Sequence, residues 1–249
     1  DAPKVRGDEF EGGDVSADCE IPASELQKLI QRTLFAAAAE QSRYAINGVL
    51  FEREGRNLRM VATDGRRLAV ARGQCAPVEG QSTCIIPTKA LGLLNKLTRD
   101  PEDVVRVIVE ENQIIFCVGD GPSPTILSSN LVEGSFPPFE DVIPKDQDKK
   151  VTSDVGALSS AIRRAALLTN QESKGVRLHF EDDKLTLTSR APEMGEAKVE
   201  VELKYEGDPV DIGFNPTFII DALRVIDEGD VVLELKAENK PGVLRNGND

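Results

Sequence analysis

Apolar positions along the chain follow two rhythms, one near 3.6 residues and one near 2. Leu26, Leu29, Ile30, Thr33 and Leu34 recur at helical spacing and predict an amphipathic helix over residues 23–39, closing in the alanine run 36–39. Ser24 and Gln27 at its start form an S-x-x-Q pattern, which predicts a capping box. Short apolar or alternating runs predict strands over 48–52, 58–62 and 67–71. Leu91, Leu94 and Leu97 then predict a second helix over 88–99. Strands are expected over 104–110 and 114–118, with a turn at 111–113 between them. A turn at Gly119-Asp120-Gly121-Pro122 leads to a further strand over 125–131.

The second half repeats this order. Leu158, Ile162, Ala165 and Leu168 predict a helix over 154–169, and a hairpin is expected over 176–181 and 184–189 around Asp182-Asp183. Val199, Val201 and Leu203 alternate with Lys198, Glu200 and Glu202, which predicts one strand over 197–205 with a single buried face. Asn215 suits a helix N-cap and Pro216 the first helical position, so a helix is expected to about residue 226, followed by a strand over 231–237. The repeat shows in the residues themselves. Gly48-Val49 corresponds to Gly175-Val176 and Leu58 to Leu185, at an offset of 127, and Pro87-Thr88 to Pro216-Thr217 at 129. The fold class expected is α+β, as tandem domains that each pack two helices on antiparallel sheets. Residues 1–18 read as a linker, 19–145 as one domain and 146–249 as the next. In the second copy the segment 243–245 runs into Asn246-Gly247-Asn248-Asp249 where the first copy continues into a further strand, so the last domain is expected to lack its final strand.

A length of 249 residues accommodates two domains of about 100–150 residues each, and 40% apolar residues is enough to fill two cores. The formal net charge is −13, unevenly spread: the four expected helices carry +5, leaving −18 on the rest. Basic helices on an acidic body suit a surface that meets phosphate on one side and repels it elsewhere. Lysine and arginine are also good helix formers on solvated faces, so charge alone leaves both readings open. The acidic total argues against a protein that coats nucleic acid indiscriminately. No apolar run approaches the roughly 18 residues of a membrane helix, and the polar, acidic opening residues do not read as a targeting peptide, so a cytoplasmic protein is expected. Cys19, Cys75, Cys84 and Cys117 are far apart with no C-x-x-C pair, and His179 is the single histidine, so neither a metal site nor a cofactor is expected. A P-loop motif is absent, and Asp182-Asp183 sits at a hairpin tip with adjacent side chains diverging, so catalysis is not expected.

The run Ser42-Arg43-Tyr44-Ala45-Ile46-Asn47-Gly48-Val49-Leu50-Phe51-Glu52, followed by Val61-Ala62-Thr63-Asp64-Gly65-Arg66-Arg67-Leu68-Ala69, resembles the bacterial replicative sliding clamp, the beta subunit of DNA polymerase III. Gly134-Ser135-Phe136-Pro137, Val142-Ile143-Pro144-Lys145, Lys174-Gly175-Val176-Arg177-Leu178, Gly213-Phe214-Asn215-Pro216 and Pro241-Gly242-Val243 extend the resemblance in the family's order. It covers the family's middle and last domains, which implies a piece of a longer clamp whose first domain and closing strand lie elsewhere. The family's subunits have three similar domains and close head to tail as a homodimeric ring around duplex DNA. The ring is not an enzyme. It tethers the DNA polymerase III alpha subunit, the clamp loader and repair polymerases through short clamp-binding motifs.

By position, the resemblance puts the family's peptide-binding pocket on Ile46, Thr63, Gly65, Arg66, Arg67, Leu68, Pro137 and Val142, with Lys240 and Gly242 from the last domain. Asp141 stands where many relatives carry a basic residue. DNA contact is expected from Arg43 and Tyr44 after the first helix and from the helix bases Lys28, Arg32, Lys89, Lys96, Arg163, Arg164 and Arg224. Two rival readings are a two-domain clamp that closes as a trimer and a carboxylate-dependent hydrolase.

Overall fold

The computed structural model describes residues 17–39, 45–119, 124–169, 175–191, 195–227 and 229–246. Residues 1–16 of the expected linker 1–18, the turn residues 120–122, Arg43 and Tyr44 lie outside them. The chain divides into two units, Asp1–Pro137 and Pro138–Asp249.

In the first unit the chain runs β1 (Cys19–Pro22), α1 (Ala23–Leu34), β2 (Gly48–Glu54), β3 (Asn57–Thr63), β4 (Leu68–Gln74), β5 (Gln81–Pro87), α2 (Thr88–Leu97), β6 (Val104–Val109), β7 (Gln113–Val118) and β8 (Thr125–Asn130). The strands form two antiparallel sheets, in the orders β1-β6-β7-β8 and β4-β3-β2-β5. One core serves both sheets and both helices. Phe51 and Met60 come from one sheet, Val107 and Phe116 from the other, and Leu26, Ile30, Leu91 and Leu94 from the helices. Burying each such side chain contributes about 1.5–3 kcal/mol. α1 buries Leu26, Leu29, Ile30 and Thr33 and leaves Lys28 exposed on the other side, as the periodicity predicts.

Two details of α1 differ from the sequence reading. Pro22 occupies the N-cap position and no side chain caps the helix; Gln27 Nε2 donates to the Thr98 carbonyl instead of closing a capping box. The helix also ends at Leu34. The amides of Ala36 and Ala37 return to Thr33 and Leu34 in turns, and Ala38 N–H donates to the Ile46 carbonyl at 3.0 Å. The alanine run has high helix propensity, but a tertiary hydrogen bond to the start of β2 turns the chain away.

The second unit runs β9 (Lys149–Asp154), α3 (Val155–Ala166), β10 (Val176–Glu181), β11 (Lys184–Ala191), β12 (Gly195–Glu202), β13 (Lys204–Glu206), β14 (Val210–Phe214), α4 (Pro216–Leu223), β15 (Asp230–Leu235) and β16 (Val243–Arg245). Its sheets have the orders β12-β11-β10-β14 and β13-β9-β15-β16, and their inner faces enclose Leu158, Ile162, Phe180, Leu187, Leu223 and Val231. The two units therefore repeat one plan. β12-β11-β10-β14 corresponds to β4-β3-β2-β5, and β9-β15-β16 to β1-β6-β7. Among the described residues β16 is an edge strand.

The expected strand over 197–205 is two strands. β12 pairs with β11, the chain crosses at Leu203, whose N–H donates to Asp183 O at 2.9 Å, and β13 pairs with β9 in the other sheet. The alternation of side chains continues through the crossing, so the sequence pattern hides it. The first unit does the same with a single hydrogen bond: after β4, Ala76 N–H donates to Glu20 O in β1 at 2.9 Å. Asp182 and Asp183 form the β10–β11 turn with φ of 49° and 56°, the left-handed pair that a two-residue hairpin requires. Asn215 and Pro216 start α4 as expected, Asn215 Oδ1 accepting from Thr217 N–H at 3.0 Å. Asp154 caps α3 by accepting from Ala157 N–H at 2.8 Å. The sequence reading missed β1, β5, β9 and β14.

Candidate functional site

The specific Thr63-Asp64-Gly65-Arg66-Arg67-Leu68 run is the connection between β3 and β4, where Thr63 and Leu68 face each other as the last ladder pair. Hydrogen bonds lock it from inside. Thr63, buried, donates its hydroxyl to the Arg67 carbonyl at 2.7 Å and accepts from Gly65 N–H at 3.0 Å. Asp64 Oδ1 accepts from the amides of Arg66 and Arg67 at 2.9 and 3.0 Å. Its other oxygen, Oδ2, takes Arg67 Nε at 3.1 Å. Gly65 has φ +84° with open space around it, so the backbone angle is what requires glycine there. The turn presents Gly65 and Arg66 to solvent and leaves Leu68 half-buried.

Arg67 is held on a second side by Phe35, the residue that ends α1; the guanidinium carbon lies 5.5 Å from the ring centroid. Only 19% of the Arg67 side chain remains exposed. Ile46 lies just before β2, and its carbonyl takes the Ala38 amide three residues past Phe35. Thus Thr63, Gly65, Arg66, Arg67 and Leu68 share one turn in the first unit, with Ile46 half-buried just before β2 and Pro137 half-buried at that unit's end. Phe35 was not among the residues expected from the sequence. Its only signal there is an aromatic residue just before the alanine run of the predicted helix.

In the second unit Val142 closes a single 3-10 turn, Glu140–Val142, and is 63% exposed. Asp141 beside it is also exposed. Lys240 is exposed in a turn closed by its own N–H on Ala237 O at 3.0 Å. Gly242 is packed down: a Cβ there would lie 3.0 Å from Leu235 Cδ2 and from Phe214 Cζ. Gln147 Nε2 holds the Pro241 carbonyl at 2.7 Å. Lys236 hydrogen-bonds Asp146 nearby and holds its carboxyl below the usual range.

The helix bases are mostly in solvent. Lys28 is exposed, and Arg32, one turn on, is half-buried on the same face of α1. Lys89 and Lys96 are exposed on α2, and Leu93 between them is 47% exposed. Arg163 and Arg164 are both exposed in the last turn of α3. Arg224 follows α4 and makes a loose pair with Asp221 at 3.8 Å. Within the observed helix bounds there are six bases and two acids, a smaller excess than over the longer predicted spans, because Arg99, Asp154 and Arg224 fall just outside.

His179 has its ring nitrogens 3.3 Å from Asp211 Oδ1 and 3.5 Å from Glu181 Oε2 on an outer strand face, so its neighbours are carboxylates. Asp183 Oδ1 accepts from Tyr205 N–H at 2.7 Å, a turn role. All four cysteines are free and buried; burial pushes the thiols of Cys19 and Cys84 up to about 12. No group of three or more histidine, cysteine or acidic side chains among the described residues is placed to hold a metal ion. No described helix is long and apolar enough to cross a membrane.

Comparison with known proteins gives one answer along the chain. Residues 20–138 match the family model of the DNA polymerase III beta subunit, central domain, and residues 140–249 that of its C-terminal domain. A beta sliding clamp of Pseudomonas putida is 37% identical over 242 residues, 96% of this chain and 65% of that protein. A beta sliding clamp of Escherichia coli K12 is 37% identical over 210 residues, 83% of this chain and 55% of the relative. The crystal structure of the DNA polymerase III subunit beta from Pseudomonas aeruginosa superposes with a TM-score of 0.88 at 34% identity, over 100% of this chain and 66% of that one. A DNA polymerase sliding clamp from Bacillus subtilis gives 0.87 at 26% identity, over 98% of this chain and 65% of that one. The chain thus spans less than two thirds of the length of the curated relatives it matches. The repeated α+β plan, the Thr63–Leu68 turn and these matches place the chain in the DNA polymerase III beta subunit family, of which it carries the central and C-terminal domains.

Proposed function

We propose that this chain is part of a sliding clamp, a ring that encircles duplex DNA and tethers the replicative polymerase without catalysing a reaction itself. The observation that carries the reading is the charge placement. Among the described residues the helices hold six bases against two acids, in a chain whose net charge is −13. A ring that slides needs attraction to phosphate where the duplex passes and no base-reading contacts. Lys28, Arg32, Lys89, Lys96, Arg163, Arg164 and Arg224 are the candidate phosphate contacts on or beside the helices, joined by Arg43 and Tyr44. Closure as a head-to-tail homodimer and a cytoplasmic setting belong to the same proposal. The trimer-closing alternative is not favoured, because the two units match the central and C-terminal domain families of the bacterial clamp.

Docking of partners falls to the Thr63–Leu68 turn with Ile46 and Pro137, and to Val142, Lys240 and Gly242. The occupants would be short clamp-binding peptides of the polymerase alpha subunit, the clamp loader and repair polymerases. Ile46, Leu68, Pro137 and Val142 offer apolar contact, Gly65 lets a backbone approach, and Arg67 can meet a carbonyl or carboxylate oxygen. The test is titration of a fluorescein-labelled clamp-binding-motif peptide against Arg67→Ala and Leu68→Ala. Each change should weaken binding by about tenfold or more, as loss of an anchor side chain does. Unchanged affinity in both would remove this site from the reading.

A further inference from the structure

We infer that Phe35 is a positioning residue for peptide docking: its ring face sets the tilt of the Arg67 guanidinium, so that the group meets an incoming peptide oxygen already ordered. This rests on the docking reading above. Arginine has a long side chain, and a ligand that must first immobilise it loses affinity; a guanidinium held in advance avoids that loss. Asp64 holds one edge, with Oδ2 taking Nε at 3.1 Å. That carboxylate is itself fixed, because Oδ1 accepts the Arg66 and Arg67 amides. An edge contact sets a distance but not the tilt of the guanidinium plane. The Phe35 ring, 5.5 Å from Cζ, supplies that restraint, since a cation over an aromatic face is attracted to it and lies against it.

The ring is a firm support. Phe35 is the C-cap of α1, its N–H bonds Thr33 O, and its side chain packs against the first unit's core. Asp64 and Phe35 thus hold Arg67 from two elements, the β3–β4 turn and the end of α1. The 19% of the Arg67 side chain left exposed is what a ligand can reach.

The experiment titrates the same labelled peptide against the whole 249-residue chain and four variants: Phe35→Leu, Phe35→Tyr, Arg67→Ala and the Phe35→Leu/Arg67→Ala double change. Phe35→Leu should weaken binding about two- to fivefold, the range of an exposed cation–π contact. Phe35→Tyr, which keeps the ring face, should restore it. In the Arg67→Ala background Phe35→Leu should change affinity little. Rescue by Phe35→Tyr together with the loss of the effect in the Arg67→Ala background is a signature that a general packing role would not give. If Phe35→Leu lowers folding, Phe35→Met carries the same expectation. Equal weakening with and without Arg67, or no weakening at all, overturns the inference while leaving docking intact. Failure of the unaltered chain to bind the peptide overturns the docking reading and this inference with it.

Discussion

Thr63→Val is the sharpest test of how the β3–β4 turn is built. Valine keeps the branch at Cβ and the strand preference of threonine, so packing and backbone are held nearly constant and the hydroxyl is what changes. That oxygen makes two bonds in a buried setting, donating to Arg67 O at 2.7 Å and accepting from Gly65 N–H at 3.0 Å. Each intramolecular hydrogen bond is worth about 1 kcal/mol net, and an abandoned buried partner adds to the cost, so the change should remove about 2–3 kcal/mol. For a unit of this size that is a fall in Tm of about 6–12 °C. The assay is thermal and urea unfolding of the unaltered chain, Thr63→Val and Thr63→Ser. Serine keeps the oxygen and loses one methyl, so it should cost only about 1 kcal/mol. A Thr63→Val protein within about 0.5 kcal/mol of the parent, or a serine variant worse than the valine one, would refute the reasoning.

Helix capping gives a paired expectation. Asp154→Ala should cost about 1 kcal/mol by removing the bond to Ala157 N–H. Ser24→Ala, at a position where no side-chain cap exists, should stay within about 0.5 kcal/mol in the same urea titration. Cys84 tests the buried thiols: its pKa is raised from 9.0 to about 12 by burial. The unfolded chain therefore ionises first, and the stability this thiol contributes is full below pH 9 and lost as pH rises towards 12. Cys84→Ala should make that alkaline limb shallower, the part due to Cys19 remaining; an unchanged slope between pH 9 and 12 would contradict the assignment. For phosphate contact, DNA affinity should fall with salt. Replacing Lys89 and Lys96 by glutamine should lower the slope of log K against log salt by about 0.9 for each phosphate that is no longer neutralised, and an unaltered slope would exclude those two side chains.

The elements most legible in sequence were those whose local signal agrees with their tertiary role. α3 and α4 carry good N-caps, Asp154 and Asn215, and β10–β11 turns at Asp182-Asp183, where both residues tolerate positive φ. α1 overran because Ala36 and Ala37 favour helix locally while the Ala38–Ile46 hydrogen bond decides otherwise. β9 was missed because only Val151 and Ser153 face inward along a six-residue strand that is otherwise polar. The β12–β13 crossing was missed because alternation does not report which sheet a strand joins. The same limit applies to the candidate site. The turn residues Thr63 to Leu68 were legible as a specific run, but Phe35 reaches Arg67 only because the fold brings the end of α1 to the start of β4.

The proposed enclosure of the double helix is tested most directly by retention on DNA of defined topology. The protein, extended to the length of its relatives, is loaded on a nicked circular plasmid, separated from free protein by gel filtration, and the DNA is then linearised. Retention on the circle and loss through the free ends is the predicted result. Equal retention on both forms would mean that it holds DNA by surface contact and would contradict the account.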